Sequence, residues 1–120
     1  MMRTSRSLLR ATAVLGLTLL VTAAVPAEAP LADAAQKRDV EQVRALVARG
    51  VDINTAQGDG MTALHWAAEN NDADIVAILI TAGAHLHPTT RNSDYTPLHL
   101  ASKVGNSAVM EMLLEAGAGV

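Results

Sequence analysis

Two histidines stand in nearly identical strings thirty-four residues apart: His65 in TALHWAA (Thr62–Ala68) and His99 in TPLHLAS (Thr96–Ser102). Imidazole titrates near neutral pH and is the commonest metal ligand, so the pattern raises acid–base chemistry or a metal centre. His85 and His87, at i and i+2, could chelate a surface metal from an extended loop, but no third ligand is spaced nearby. Ser93, Ser102 and Ser107 lack the Gly-x-Ser-x-Gly setting of an activated nucleophile. The string GDGM (Gly58–Met61) precedes a predicted helix but has no lysine at phosphate-loop spacing. Asp72 and Asp74 fall at a predicted helix start, where the helix dipole favours carboxylates without any acid–base pairing. The chain has no cysteine, which excludes a disulfide framework, a cysteine-based zinc site and a thiol nucleophile. These features predict no catalytic residue, no cofactor, no metal and no small-molecule substrate, and so a protein that is not an enzyme.

The elements that must position these residues repeat. With Leu31, Leu64 and Leu98 in one column, LADAAQKRDVEQVRALVARGV, LHWAAENNDADIVAILITAGA and LHLASKVGNSAVMEMLLEAGA align without a gap. Ala34, Ala67 and Ala101 share a column, as do Val43, Val76 and Met110, and Leu46, Leu79 and Leu113. Gly50, Gly83 and Gly117 close the three units, and the connection into the third carries one extra residue. Each unit reads as two helices. Thr62 and Thr96 are placed to cap a first helix, with Pro97 at the following position, where a missing N–H costs nothing. Asn71-Asp72 and Gly105-Asn106 break that helix, and a longer apolar helix follows. DINTAQGDGM and HLHPTTRNSDY between the units read as turns. One such helix pair cannot bury its apolar face, whereas stacked pairs can. Equivalent histidines of stacked units lie roughly 10 Å apart, the helix-packing distance. That is too far to share a zinc ion, whose ligands sit about 2.0–2.1 Å from the metal.

Composition and charge narrow the reading. The 120 residues include no Phe, one Trp and one Tyr, and the apolar half is mainly Ala, Leu, Val and Ile. From Pro30 onward six bases face eleven acids, which repels phosphate backbones and argues against nucleic acid. Ahead of this lies MMRTSRSLLR, with three arginines and no acid, then fifteen uncharged residues from Ala11 to Val25, then PAEA. That order is that of a secretory signal peptide over residues 1–29, with a cut between 24 and 29. It predicts export to a periplasm or the outside, without membrane insertion after cleavage. An uncleaved anchor is the alternative reading.

The strings TPLHLAS and TALHWAA resemble the Thr-Pro-Leu-His core of the ankyrin repeat, and VDIN and AHLH sit where that family writes Gly-Ala-Asp-Val-Asn. The resemblance runs from Leu31 to Val120 and implies an all-α solenoid of about three helix-turn-helix units joined by β-turn loops. The units are 30–54 (a capping repeat without the Thr-Pro-Leu-His string), 55–87 and 88–120, and the apolar pattern of the last predicts that it is truncated or covered. Asp94 stands where the family prefers Gly. The resemblance makes Thr62, His65, Thr96, Pro97 and His99 structural, each histidine tying adjacent turns. It also implies a non-catalytic scaffold that binds an unidentified protein partner through its tips and first helices. The positions carried over are Gly58, Asp59, Met61, Glu69 and Asn70 in the second unit, and Asn92, Ser93, Tyr95, Lys103 and Val104 in the third. Met61 and Tyr95 share a column; each either faces a partner or packs on its own turn. Trp66 is expected to be partly core and partly groove. The alternatives are a regulatory or targeting segment of a larger enzyme, and an inhibitor or immunity protein.

Overall fold

The computed structural model describes residues 28–119, so the expected export segment lies outside the described residues except for Glu28 and Ala29. The described residues hold six helices and no strand: α1 (Pro30–Gln36), α2 (Val40–Ala48), α3 (Ala63–Glu69), α4 (Ala73–Thr81), α5 (Pro97–Val104) and α6 (Ser107–Ala116). None is long and apolar enough to cross a membrane.

Local chemistry sets the helix starts. Pro30 and Pro97 occupy the first turns of α1 and α5, where no N–H is needed. The Asp39 carboxylate accepts from Gln42 N–H at 3.1 Å and the Asp72 carboxylate from Ile75 N–H at 3.4 Å, capping α2 and α4. Asn106 stands at the same position before α6 without a side-chain cap; its amide instead donates to the Ala68 carbonyl at 2.9 Å, in the preceding unit.

The helix ends are also repeated. After α4, Gly83 takes φ +89°, and Ala84 N–H reaches back to the Leu79 carbonyl at 3.0 Å, a left-handed stop that glycine adopts without a Cβ penalty. The break between the two helices of each unit uses the same device at Arg38 (φ 59°), Asn71 (φ 55°) and Gly105 (φ 77°). Asn71 and Gly105 suit that conformation, whereas Arg38 carries a Cβ cost of roughly 1–2 kcal/mol. The Asp39 N–H bond to the Ala34 carbonyl at 3.0 Å closes the turn around it.

Packing follows two layers. First helices α1, α3 and α5 lie side by side, second helices α2, α4 and α6 form the other layer, and one apolar core runs between them through all three units. The column Leu46, Leu79, Leu113 is buried throughout. The column Val43, Val76, Met110 is fully buried in the first two units and only half-buried in the third, where no further helix pair lies against it among the described residues. Leu79 and Leu113 are both 0% exposed, but within the second-helix layer Leu79 lies in a helix flanked by α2 and α6, and Leu113, among the described residues, in one flanked by α4. Leu→Ala at such sites costs roughly 2–5 kcal/mol. Chemical denaturation is expected to show Leu79→Ala as the more damaging; a clearly larger loss for Leu113→Ala would contradict the stacking order.

Candidate functional site

His65 and His99 close capping boxes. The Nδ1 of His65 accepts from Thr62 N–H at 3.1 Å, and His65 N–H points at Thr62 Oγ1 at 3.4 Å. His99 and Thr96 repeat the pair at 3.1 and 3.2 Å. A ring nitrogen that accepts carries no proton, so the proton of each neutral ring sits on Nε2. In the second unit this Nε2–H donates to the Tyr95 carbonyl of the third unit's loop at 2.8 Å, and His65 is fully buried. His99 is exposed. Burial lowers the pKa of His65 below its ordinary 6.5, against smaller upward pulls from the Tyr95 and Pro88 carbonyls and from Asp59 and Glu69. The ring is thus a neutral tie between two units.

Of the His85–His87 pair, only the His87 ring has a related role among the described residues. His87 Nε2 accepts from Gly119 N–H at 3.0 Å, one repeat on from Asn54, whose Oδ1 accepts from His85 N–H at 2.8 Å. Among the described residues no three His, Cys, Asp or Glu side chains converge in a way that could hold a metal ion.

The tips stack on one another. Tip two closes with Gly60 N–H on the Gln57 carbonyl (2.8 Å) and Gln57 N–H on the Met61 carbonyl (3.0 Å). Tip three closes with Asp94 N–H on the Thr90 carbonyl and Thr90 N–H on the Tyr95 carbonyl, both at 3.1 Å, a turn one residue wider that absorbs the insertion. Arg91 N–H donates to the Asp59 carbonyl at 2.9 Å, joining the tips. Gly60 has φ +85°, and a Cβ there would lie 3.1 Å from Arg91 N, Thr89 O and Thr90 Cα, so both conformation and space require glycine. Asp94 holds the same column in the left-handed region at φ 53°.

Of the carried-over partner positions, Gly58, Asp59, Glu69, Asn92, Ser93, Lys103 and Val104 are exposed and Tyr95 is half-buried. Two need correction as free contact sites. Met61 is only 7% exposed because it packs into its own turn, its N–H held by the Asp59 carboxylate at 3.0 Å. Asn70 is half-buried, and its amide lies 3.4 Å from both the Ala35 and Gln36 carbonyls of the first unit. Lys103 Nζ sits 5.1 Å from the centre of the Tyr95 ring, and the His99 ring meets Tyr95 edge-on at 6.3 Å. These three side chains, with Ser93, Asp94 and Ser102, line an open cleft of about 370 Å³. Gln57 was not singled out by sequence. Its amide donates to Asp33 Oδ1 (2.7 Å) and Gln36 Oε1 (3.0 Å), and its oxygen accepts from Trp66 Nε1 at 2.9 Å, so tip two is anchored across the first-helix layer. Trp66 is half-buried against the core, as expected.

The His65 tie has a pH signature. Its folded-state pKa is below 6.5, so as pH falls through about 6.5 the unfolded chain takes up a proton that the folded chain refuses. Its contribution is therefore complete above 6.5 and lost as pH falls toward the lower, folded value. Denaturation midpoints of the full chain are expected to drop between pH 7.5 and 5, with a shallower drop in His65→Gln. Equal slopes for the two proteins would contradict a buried neutral imidazole.

Comparison with known proteins agrees with this geometry. The family model described as ankyrin repeats (3 copies) matches residues 31–120. The palmitoyltransferase Hip14 of Drosophila melanogaster is 36% identical over 85 residues, covering 71% of this chain and 13% of that protein. The human palmitoyltransferases ZDHHC17 and ZDHHC13 are 36% and 35% identical over 78 residues, each match covering 65% of this chain and 12% of the relative. The chain thus spans about an eighth of the relatives it matches. The expectation that the protein is not an enzyme does not stand: these relatives are enzymes by name, and a match to so small a part of each says nothing against catalysis elsewhere. With three stacked helix pairs, two Thr–His capping boxes and a family match over ninety residues, the chain belongs to the ankyrin-repeat family.

Proposed function

We propose that this array is a protein-binding module serving as the regulatory or targeting segment of a larger enzyme. The observation that carries the enzyme reading is the company the array keeps: palmitoyltransferases of which an array of this size is about an eighth. The binding reading rests on the exposed tips and first-helix face, where Tyr95, Lys103 and Glu69 are displayed on a scaffold locked by backbone bonds. We also propose that residues 1–29 direct export, from their basic-then-apolar order; the mature chain is then expected to begin between Val25 and Pro30.

Two measurements test this. An antibody to the array should detect, in the producing cell, a polypeptide much longer than 120 residues; a product no longer than the array would contradict the enzyme-segment reading. Affinity capture with the full chain should recover a protein partner whose binding weakens by up to about thirtyfold in Tyr95→Ala. That variant keeps the main-chain carbonyl that His65 needs. Glu111→Lys, on the exposed outer layer, should leave capture unchanged. Capture indifferent to Tyr95→Ala and to Glu69→Lys would place binding elsewhere.

A further inference from the structure

The same side chain stands in two different settings one repeat apart. At His65, Nε2–H is taken by a loop carbonyl; at His99, whose Nδ1 also accepts from its threonine N–H, Nε2–H has no partner among the described residues. The Ala68 carbonyl receives the Asn106 amide from the next unit; in its column, the Ser102 carbonyl accepts from Gly105 N–H alone among the described residues. A further ankyrin unit is the obvious occupant of this edge, yet tip three differs from tip two where a following loop would lie. Gly60 leaves just enough room for the backbone of residues 89–91, and Asp94 fills its column with a Cβ and a carboxylate. Tip three is also one residue wider. The charge differs too, because the column that reads Gln36 and Glu69 becomes Lys103.

We propose that the cleft between tip three and α5 docks a loop of a partner protein that presents a main-chain carbonyl to His99 Nε2–H and a carboxylate to Lys103. The carbonyl is the group that the equivalent donor takes within this molecule. The carboxylate follows from Lys103: of the two charged residues lining the cleft, Asp94 is the anion and Lys103 the cation, and Lys103 rests on the face of Tyr95, a contact worth only about 0.5–1 kcal/mol at an exposed site, so it can be exchanged for a charge-assisted bond. The exposed Val104 (48%) and Leu114 (46%) lie on the same edge helices, α5 and α6. This inference rests on the protein-binding reading and adds the chemistry of the bound segment.

The probe is a head-to-tail cyclic hexapeptide of five glycines and one aspartate, which offers main-chain carbonyls and one carboxylate and no side chain of a repeat tip. Added to the full chain with labelled histidines, it is expected to move the His99 Nε2 and Cε1–H resonances saturably at concentrations up to about 5 mM. Lys103→Glu in the protein, or lysine in place of the aspartate in the peptide, should each weaken this by at least about fivefold. No saturable shift, or equal affinity in both variants, overturns the proposal. A second arm extends the full chain after Gly119 with a copy of residues 86–119, in register with the existing repeat. His99 is expected to stay in fast exchange there; protection matching that of His65 would show that the edge takes another repeat and would overturn the partner loop. A His99 shift that appears on concentrating the protein alone would assign the edge to a second copy, with the same consequence. Capture of a partner that persists undiminished in Lys103→Glu would leave the protein-binding reading standing and remove this one.

Discussion

Every feature of this molecule depends on apolar surface that no single helix pair can bury. Each unit is short, nearly free of aromatic side chains, and built from Ala, Leu, Val and Ile that need a neighbour within van der Waals reach. Leu79 and Val76 are dry because α2 and α6 flank α4, and Met110 is half-exposed because nothing described lies beyond it. Stability is therefore a property of interfaces between units more than of units, and side chains of one unit bond main-chain groups of the next. His65, Asn70, Asn106, Asn54 and His87 are the side chains that do this, each reaching across to the main chain of an adjoining unit. No buried side-chain polar atom is left without a partner among the described residues.

The same arrangement explains why residues suited to catalysis are used structurally. A neutral imidazole offers one acceptor and one donor on opposite edges of a rigid ring. In His65 the acceptor holds the start of its own helix and the donor holds the next loop, so one side chain joins two units and fixes the height of the following tip. Tip stacking then presents Tyr95 and Lys103 on a fixed backbone, the condition for a side chain to bind without losing much conformational freedom.

Much of the fold was legible because the repeat writes each position three times. The columns of Ala67, Leu79 and Gly83 place helices, core and stops by comparison within one chain, and Thr62 and Thr96 mark helix starts by local chemistry. What stayed hidden was set by distance along the chain. Gln57 bonds Asp33 across 24 residues, and no local pattern announces that pairing. Met61 looked exposed because it precedes a cap in a polar loop; the Asp59 turn folds it inward. Arg38 shows no turn preference of its own and is left-handed because its column must be. The expectation of a protein without enzymatic role failed for a different reason: motifs missing from a stretch that matches an eighth of an enzyme carry no information about the rest.

If stability is shared between neighbours along one dimension, native-state amide exchange of the full chain will be graded from unit to unit. The strongest protection is expected in α3 and α4, which have a unit on both sides, with weaker protection in α5 and α6, which have a unit on one side among the described residues. Equal protection across the second and third units in a dilute monomer would contradict it, because the third unit would then be stable without the neighbour that the second requires.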